Sequence, residues 1–518
     1  MLMLISFNSN QTGAQSISWS EHVAPIIFDN CSPCHHSSGA GHSDLSNYDT
    51  ASYQSAAIQY SVNQKLMPPW PPDPSYKRYA HERTLTQTEI NTITDWVSNG
   101  TILGDTNLLP PTPIYNGSAI LTQTPDLVLQ MPNFSIPSNL SSDLYWNFVI
   151  PVNNSQDVLI DALEFLAGNT EQVHHALIYV DTGQTIQNLD NNTPGPGFPG
   201  FGGAGTSTAK LIGAYVPGTQ PFIFPHGFGM RIPANASIIF NMHYPIDGAG
   251  QIDSSKLNLF FSNAPTIREV FLEPVLNHSA NMVNGPLYIP ANTTKTFYQN
   301  YTVPTKVSIF GVAPHMHKIG QRIKTYAVRP NNNDTLPLIN IPDWDFRWQG
   351  MYYFPKLEVL QNNDQLWSEA YYNNTSSNLD NPSNPPQNVS LGEATTDEMM
   401  LTYFAYSFYQ PGDENIILDS NVAPTSVPSF GFNDQELFPP YPNPARDELN
   451  LKFFIRSARE TELKIFNMNG QVLWSKKLSL QKKYNIENIN VSSWPEGLYL
   501  IQMGSAEHVL SQKFLKQD

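Results

Sequence analysis

The spacing of apolar positions divides the chain into stretches of different character. Between about 16 and 103 it is helical: Ile90, Ile93, Trp96 and Val97 recur three and four apart. Thr86-x-x-Glu89 precedes them and predicts a capping box, and Gly100 suits the helix stop. Ser18-x-x-Glu21 predicts a second capping box. A proline-rich stretch, LPPTP at 109–113, follows. From about 125 to 412 the pattern becomes short alternating or wholly apolar runs, among them Asp157–Leu163, Ala176–Val180, Ser237–Met242 and Lys306–Val312. Gly, Pro and Asn punctuate these runs, which predicts β-sandwiches rather than alternating strands and helices. The length suits two, with a break near 262–268. Beyond a Ser/Pro/Asn-rich stretch at 412–436, alternation returns through Leu463, Ile465, Phe466, Val472, Leu473 and Leu498–Ile501, predicting a small separate sandwich.

The expected fold is therefore mainly β with one small α-helical domain. The expected boundaries are a leader at 1–15, the helical domain at 16–103, a linker at 104–124, sandwiches at 125–265 and 266–412, a linker at 413–436 and the last sandwich at 437–518. The leader, MLMLISFNSNQTGAQS, reads like the tail of a signal peptide without its basic start or full apolar run.

Composition narrows the functional classes. With 27 Lys and Arg against 44 Asp and Glu, the net charge of −17 argues against nucleic acid and anionic membranes as partners. No run of 18 apolar residues exists to span a membrane as a helix. Charged residues at 14% beside 43 prolines suit an extracellular β-rich protein. The two cysteines, Cys31 and Cys34, cannot form a disulfide framework for the rest of the chain.

Those cysteines stand in Cys31-Ser32-Pro33-Cys34-His35. In a C-x-x-C-H the thiols can form thioethers to haem vinyl groups, and the adjacent imidazole reaches the iron from the same turn. A redox C-x-x-C or half a zinc site are the competing readings, but there is no second cysteine pair and no thioredoxin-like pattern around the motif. Met67, in KLMPPWPPDP, is the candidate second axial ligand, with His42 and His81 as alternatives and a plain core role for Met67 as the bland one. Through C-x-x-C-H and M-P-P, residues 20–100 resemble the single-haem cytochrome c domains fused to bacterial enzymes. The resemblance implies one covalently bound c-type haem held by Cys31, Cys34, His35 and Met67.

The middle of the chain carries His174-His175, His243 in IIFNMHYPID, His315-x-His317 in GVAPHMHKIG, and Met399 in TTDEMMLTYF. On a strand, residues two apart share a face, so His315 and His317 can share a metal. Adjacent His174 and His175 would diverge and need a bulge or unequal use of their ring nitrogens. Imidazoles with one thioether favour copper; three imidazoles suit copper or zinc. In this order the motifs resemble the ascorbate-dependent type II copper monooxygenases, the peptidylglycine α-hydroxylating and dopamine β-monooxygenase family. PFIFPHGFGMRIPANASIIFNMHY is similar to their bacterial relatives. The resemblance implies two copper-binding sandwiches across a cleft. It assigns His174, His175 and His243 to an electron-transfer copper, and His315, His317 and Met399 to the copper that activates dioxygen. Met400 is the neighbouring alternative to Met399. Tyr403 matches a substrate-side tyrosine of the family and reads equally well as a strand aromatic. Two departures stand out. The disulfides of the animal enzymes have no counterpart, and Ala313 occupies the place of an arginine that holds a peptide carboxylate, which makes a C-terminal peptide glycine an unexpected substrate. His22, His36, His42, His81, His226, His278 and His508 belong to no motif and read as surface or loop residues.

YPNPARDEL, LKIFNMNGQVL, WPEGLYLIQM and SQKFLK, in that order, resemble the C-terminal sorting domain of type IX secretion; a generic binding sandwich is the alternative. The resemblance implies export through the periplasm to the outside or the surface of a Bacteroidetes-like bacterium, with the secretion machinery as partner. The resulting expectation is a copper monooxygenase that hydroxylates an aliphatic C–H of a small organic substrate with dioxygen. Its electrons would come from an ascorbate-like or protein reductant, relayed by the haem. The alternative is a non-catalytic surface protein that binds copper and transfers electrons.

Overall fold

The structure is a computed structural model. It describes residues 17–37, 39, 41–114, 119–121, 123–200, 203–219, 221–330, 334–420, 422, 435–437, 440, 443–455, 460–468, 470–479, 483–505 and 508–517. The expected leader lies outside these residues. The chain forms two compact units, 1–424 and 425–518.

The first unit opens with a helical module. Helices Ala24–Asn30, Tyr48–Tyr53, Ser55–Asn63 and Gln87–Ser98 enclose Trp19, Ile27, Ile58, Val62, Ile90, Ile93 and Trp96. The Thr86 capping box forms as expected. The Glu89 amide donates to Thr86 Oγ1 at 3.2 Å, and the Thr86 amide donates to Glu89 Oε2 at 2.6 Å. Gly100, with φ +84°, turns the chain after the helix. The Ser18 box does not form. The first turn, Trp19–Val23, is a wide π-turn closed from Val23 N to Ser18 O, and the Ser18 amide and hydroxyl meet His22 Nδ1 instead.

Two sandwiches follow. In the first, one sheet takes its strands in the order Leu127–Gln130, Lys256–Phe261, Val158–Leu166, Phe228–Ile232, Arg268–Glu269. The facing sheet runs Phe198–Pro199, Leu144–Pro151, Ser237–Tyr244, His175–Asp181, Lys210–Tyr215. Their inner faces meet in one core through Leu129, Ile160, Met230 and Leu257 on one side and Phe148, Ile178, Ile238 and Phe240 on the other. The second sandwich packs the sheet Phe271–Asn277, Leu401–Phe408, Val307–His315, Tyr352–Leu360 against the sheet Thr293–Thr302, Gln365–Asn374, Gly320–Val328, Thr335–Ile341. Arg268–Glu269 pairs in parallel with Phe228–Gly229 of the first sandwich. From there Arg268 reaches the end of the second, donating to both oxygens of Asp413 at 2.7 Å while its guanidinium lies over the Phe228 ring. Phe310, Leu357 and Ala405 of the second sandwich complete the first core, so the two are packed together.

The helical module is also docked. The stretch from Trp70 to Arg83 leaves the module's own core and lies on the second sandwich. Tyr79 is fully buried there among Tyr352 and Phe354, its hydroxyl donating to Leu338 O at 2.8 Å. Asp73 N donates to Asn340 O, Ala80 N donates to Tyr353 O, and Lys77 pairs with Glu358.

The second unit has a sheet of Gln435–Leu437, Glu448–Ile455 and Lys483–Asn490. A second sheet runs in the order Val472–Ser479, Glu460–Asn467, Gly497–Ser505, His508–Lys516. Leu463, Ile465, Tyr499, Ile501 and Phe514 fill its core. Val472, Leu473 and Leu498 are exposed rather than part of that core; the first two lie on an edge strand where the register shifts, Trp474 pairing with Ile465 and Val472 with Phe466, so that Leu473 is the extra residue of a bulge.

Candidate metal centre and its cavity

Three imidazoles converge in the first sandwich. His243 sits on a central strand and pairs in register with His175, the first residue of the neighbouring strand. His174 precedes that strand, its amide donating to His243 O at 3.0 Å. No bulge is needed, because the chain is not yet constrained by the pleat at His174. The three Nδ1 atoms stand 3.1–3.3 Å apart. Three nitrogens cannot all satisfy one another by hydrogen bonds, since a neutral imidazole has a single N–H; this spacing is what three ligands around one ion require. Asp143 Oδ2 lies 3.0 Å from His243 Nε2, the second-sphere carboxylate that fixes a ligand's tautomer. The hydrogen bond from His243 holds the Asp143 carboxyl below its ordinary range. Tyr145 stacks on His243 at 4.3 Å. Burial, reinforced by the neighbouring His243, pushes His174 down to about 4 and holds His175 well below the usual imidazole range. His174 and His175 are thus neutral and available as ligands near pH 7.

His315 ends the strand Val307–His315, and His317 lies just beyond it, with Met316 between them turned into the core. The two rings stand 5.1 Å apart. Each ring is fixed through Nδ1: His315 by Gln349 Oε1, and His317 by the carbonyl of Asp397 at 3.0 Å. Both therefore keep Nε2 as the open nitrogen. Burial lowers both rings, His315 to about 3. Met399 borders the same cavity, whereas Met400 is sealed in the core of the second sandwich. Beneath them Glu398 is fully buried and accepts the amides of His317, Ile319 and Met399, tying the His315–Ile319 turn to the Met399 loop. Burial pushes Glu398 up to about 8 against the pull of these amides. Two imidazoles and a thioether bordering one cavity are a donor set that suits copper.

One cavity of about 660 Å³ joins these features. His174, His175, His315, His317 and Met399 all border it, and His315 and His317 are close enough to bear on the ionisation of His175. Tyr403 lines it opposite Ala313, its partner in register, with burial pushing its hydroxyl up to about 12. Aromatic walls come from Tyr179, Phe222 and Tyr353, the last two stacked at 3.6 Å.

The C-x-x-C-H motif closes the far end. Cys34 and His36 border the cavity. The motif forms a single turn, with Cys34 N and His35 N both donating to Cys31 O. His35 Nδ1 faces Ser43 O at 3.3 Å, which leaves Nε2 as the open nitrogen. Two free thiols and an open imidazole on one turn fit a covalently attached haem. Burial raises both thiols, Cys31 to about 12. Met67 is half-buried and does not border this cavity. Of its alternatives, His42 is exposed and His81 borders the cavity, its amide held by Asp419. Gly218 of the first sandwich packs on the motif. A Cβ there would sit 2.9 Å from Cys34 Sγ, and its carbonyl accepts from Arg83 at 2.8 Å.

Two of the histidines that read as surface or loop residues lie in turns that carry them to the cavity. His36 is 7% exposed at the cavity, and His278 also borders it, with burial pushing it down to about 4. His226 and His42 are exposed as expected, and the side chain of His508 lies outside the described residues. Asp143 carried no sequence signal, standing 100 residues before His243 in a loop.

Residues 285–423 match the family model described as copper type II ascorbate-dependent monooxygenase, C-terminal domain. The chain therefore carries such a domain, and the matched stretch includes His315, His317, Glu398, Met399 and Tyr403. Residues 440–517 match the secretion system C-terminal sorting domain. The protein is thus a type IX secretion client of the kind typical of Bacteroidetes, secreted or held at the cell surface. No helix among the described residues is long and apolar enough to cross a membrane. No curated protein matches the sequence. Solved structures that match in part include a β-glucuronidase of Faecalibacterium prausnitzii, at 10% identity and TM-score 0.14, over 43% of this chain and 37% of that one. The glycosylasparaginase PNGase F of Flavobacterium meningosepticum matches at 10% identity and TM-score 0.22, over 55% of this chain and 97% of that one. The chain spans little more than a third of the glucuronidase's length.

Proposed function

We propose that the protein is a copper monooxygenase that inserts one oxygen atom of dioxygen into an aliphatic C–H bond of a small organic substrate, the other oxygen leaving as water with two protons and two electrons from an external reductant. The observation that carries this reading is one cavity bordered by His174 and His175 of the convergent triad and by His315, His317 and Met399. In this reading the triad holds one copper and the corner the other. Bound copper would supply one-electron chemistry and dioxygen activation. The chain's own contribution is to disfavour protonation of His174, His175, His315 and His317 by burial, to fix the rings of His243, His315 and His317 through Asp143, Gln349 and the Asp397 carbonyl, and to wall off the substrate with aromatic side chains. With Ala313 rather than a cation opposite Tyr403, the walls favour an uncharged substrate over a peptide carboxylate.

We further propose that Cys31, Cys34 and His35 hold a c-type haem that passes electrons to the triad. Contacts between the motif and the first sandwich support this: Cys34 against Gly218, Arg83 to Gly218 O, and Gly39 O accepting from Thr170, four residues before His174.

The test is iron and copper per chain by elemental mass spectrometry, on haem-matured, copper-loaded protein. One iron and two coppers are expected, with one copper lost in His315→Ala and the iron lost in Cys31→Ala/Cys34→Ala. A chain without tightly bound copper would sink the monooxygenase reading. Two coppers without substrate-dependent oxygen uptake across a substrate screen would favour a copper-binding electron carrier.

A further inference from the structure

Outside the two histidine groups, His278 is a further imidazole at the cavity. It lies in the turn after Phe271–Asn277, and that turn is well fixed. Asn277 Oδ1 accepts the amides of Ser279 and Ala280 at 3.1 and 2.9 Å, and Asn281 Oδ1 accepts the Asn277 amide at 2.8 Å. The Met400 amide points at His278 Nδ1, 3.2 Å away. A backbone amide can only donate, so Nδ1 must accept, and the ring proton of the neutral imidazole then sits on Nε2. The fold thereby selects one tautomer for a ring that stands beside His315 and His317.

Two other polar side chains that border the cavity, Gln349 and Arg347, are engaged. Gln349 gives its carbonyl oxygen to His315 and its amide to Phe346 O at 2.7 Å. Arg347 is paired with both oxygens of Asp345 at 2.7 and 2.9 Å. We propose that His278 is a fixed N–H donor on the cavity wall, and that it binds a hydrogen-bond acceptor, a carbonyl, hydroxyl or small anion, on the ligand at the His315–His317–Met399 corner. The assignment rests on that corner holding copper. It names His278 as a positioning residue for the ligand rather than a metal ligand.

Azide is the probe, bound to the copper-loaded full chain carrying His174→Ala so that only the second site holds metal, and followed by its charge-transfer absorption. His278→Phe keeps the ring volume and removes the donor. It should weaken azide about fivefold to tenfold, the worth of one hydrogen bond, with copper content unchanged. His278→Gln, which restores an N–H, should recover most of that loss and serves if the phenylalanine variant does not fold. Unchanged azide affinity in both variants would overturn the assignment. Loss of copper from both would also overturn it, by making His278 part of the metal's own support. A parent chain that takes no copper at this corner would bring down the proposed function, and this inference with it.

Discussion

The carboxylate of Asp143 lies 3.0 Å from Nε2 of His243, across the ring from the Nδ1 that faces His174 and His175. The carboxylate thus fixes which nitrogen of His243 is turned to the triad. Replacing it with Asn or Ala should cost the triad roughly 10- to 100-fold in copper affinity and leave the His315 corner untouched. Competitive copper titration of Asp143→Ala, with His315→Ala as the reciprocal control, checks this. Equal weakening of both sites would contradict it.

Glu398 accepts backbone amides from two chain segments at once. Glu398→Gln turns one acceptor oxygen into an NH₂ that confronts an amide N–H. The expected cost is about 1–3 kcal/mol of stability, together with loss of the second copper through a loosened turn. Denaturant unfolding and metal analysis report the two effects separately; a variant with parental stability and full copper would refute the role.

Met399 and Met400 are chemically alike and face opposite ways. Met399→Leu should weaken the second copper, most in the cuprous state, while leaving stability within about 1.5 kcal/mol. Met400→Leu should leave copper unchanged. X-ray absorption on the cuprous protein tests this directly: the copper–sulfur scattering disappears in the first variant alone.

The depressed imidazoles predict a pH window. An unfolded histidine titrates near 6.5, whereas His174 is pushed to about 4 and His315 to about 3. As pH falls from about 6.5 towards 4, the unfolded chain binds protons that folded His174 and His315 refuse, so these histidines make the metal-free protein lose stability through that interval. Above about 6.5 their contribution is complete. Copper uptake should accordingly stay flat from pH 8 to about 5 and fall below it. Copper binding that weakened already between pH 7 and 6 would mean ordinary, solvated histidines.

The sequence made legible what lies in local spacing. The strand-rich middle, the helix behind Thr86, the H-x-H pair and the D-E-M stretch were visible because each is a short-range pattern. The convergence of His174 on its neighbours was ambiguous, since strand periodicity predicts divergence and only the late start of the strand at His175 removes the conflict. His278, His36 and Asp143 were invisible for a different reason. Each is a single side chain in a loop, and its partner is set by tertiary packing, with Met400 122 residues from His278 and His243 100 residues from Asp143. Ser18 misled because the capping signature does not encode the width of the turn that follows it.

Tyr79 alters what the N-terminal region is. A side chain from the stretch that follows the C-x-x-C-H motif serves as a keystone of the second sandwich, wedged against Tyr352 and Phe354 and anchored on Leu338. A copper core cut to begin after this region would carry an open socket where that ring belongs. The second sandwich thus completes its core with a ring supplied from outside its own strands.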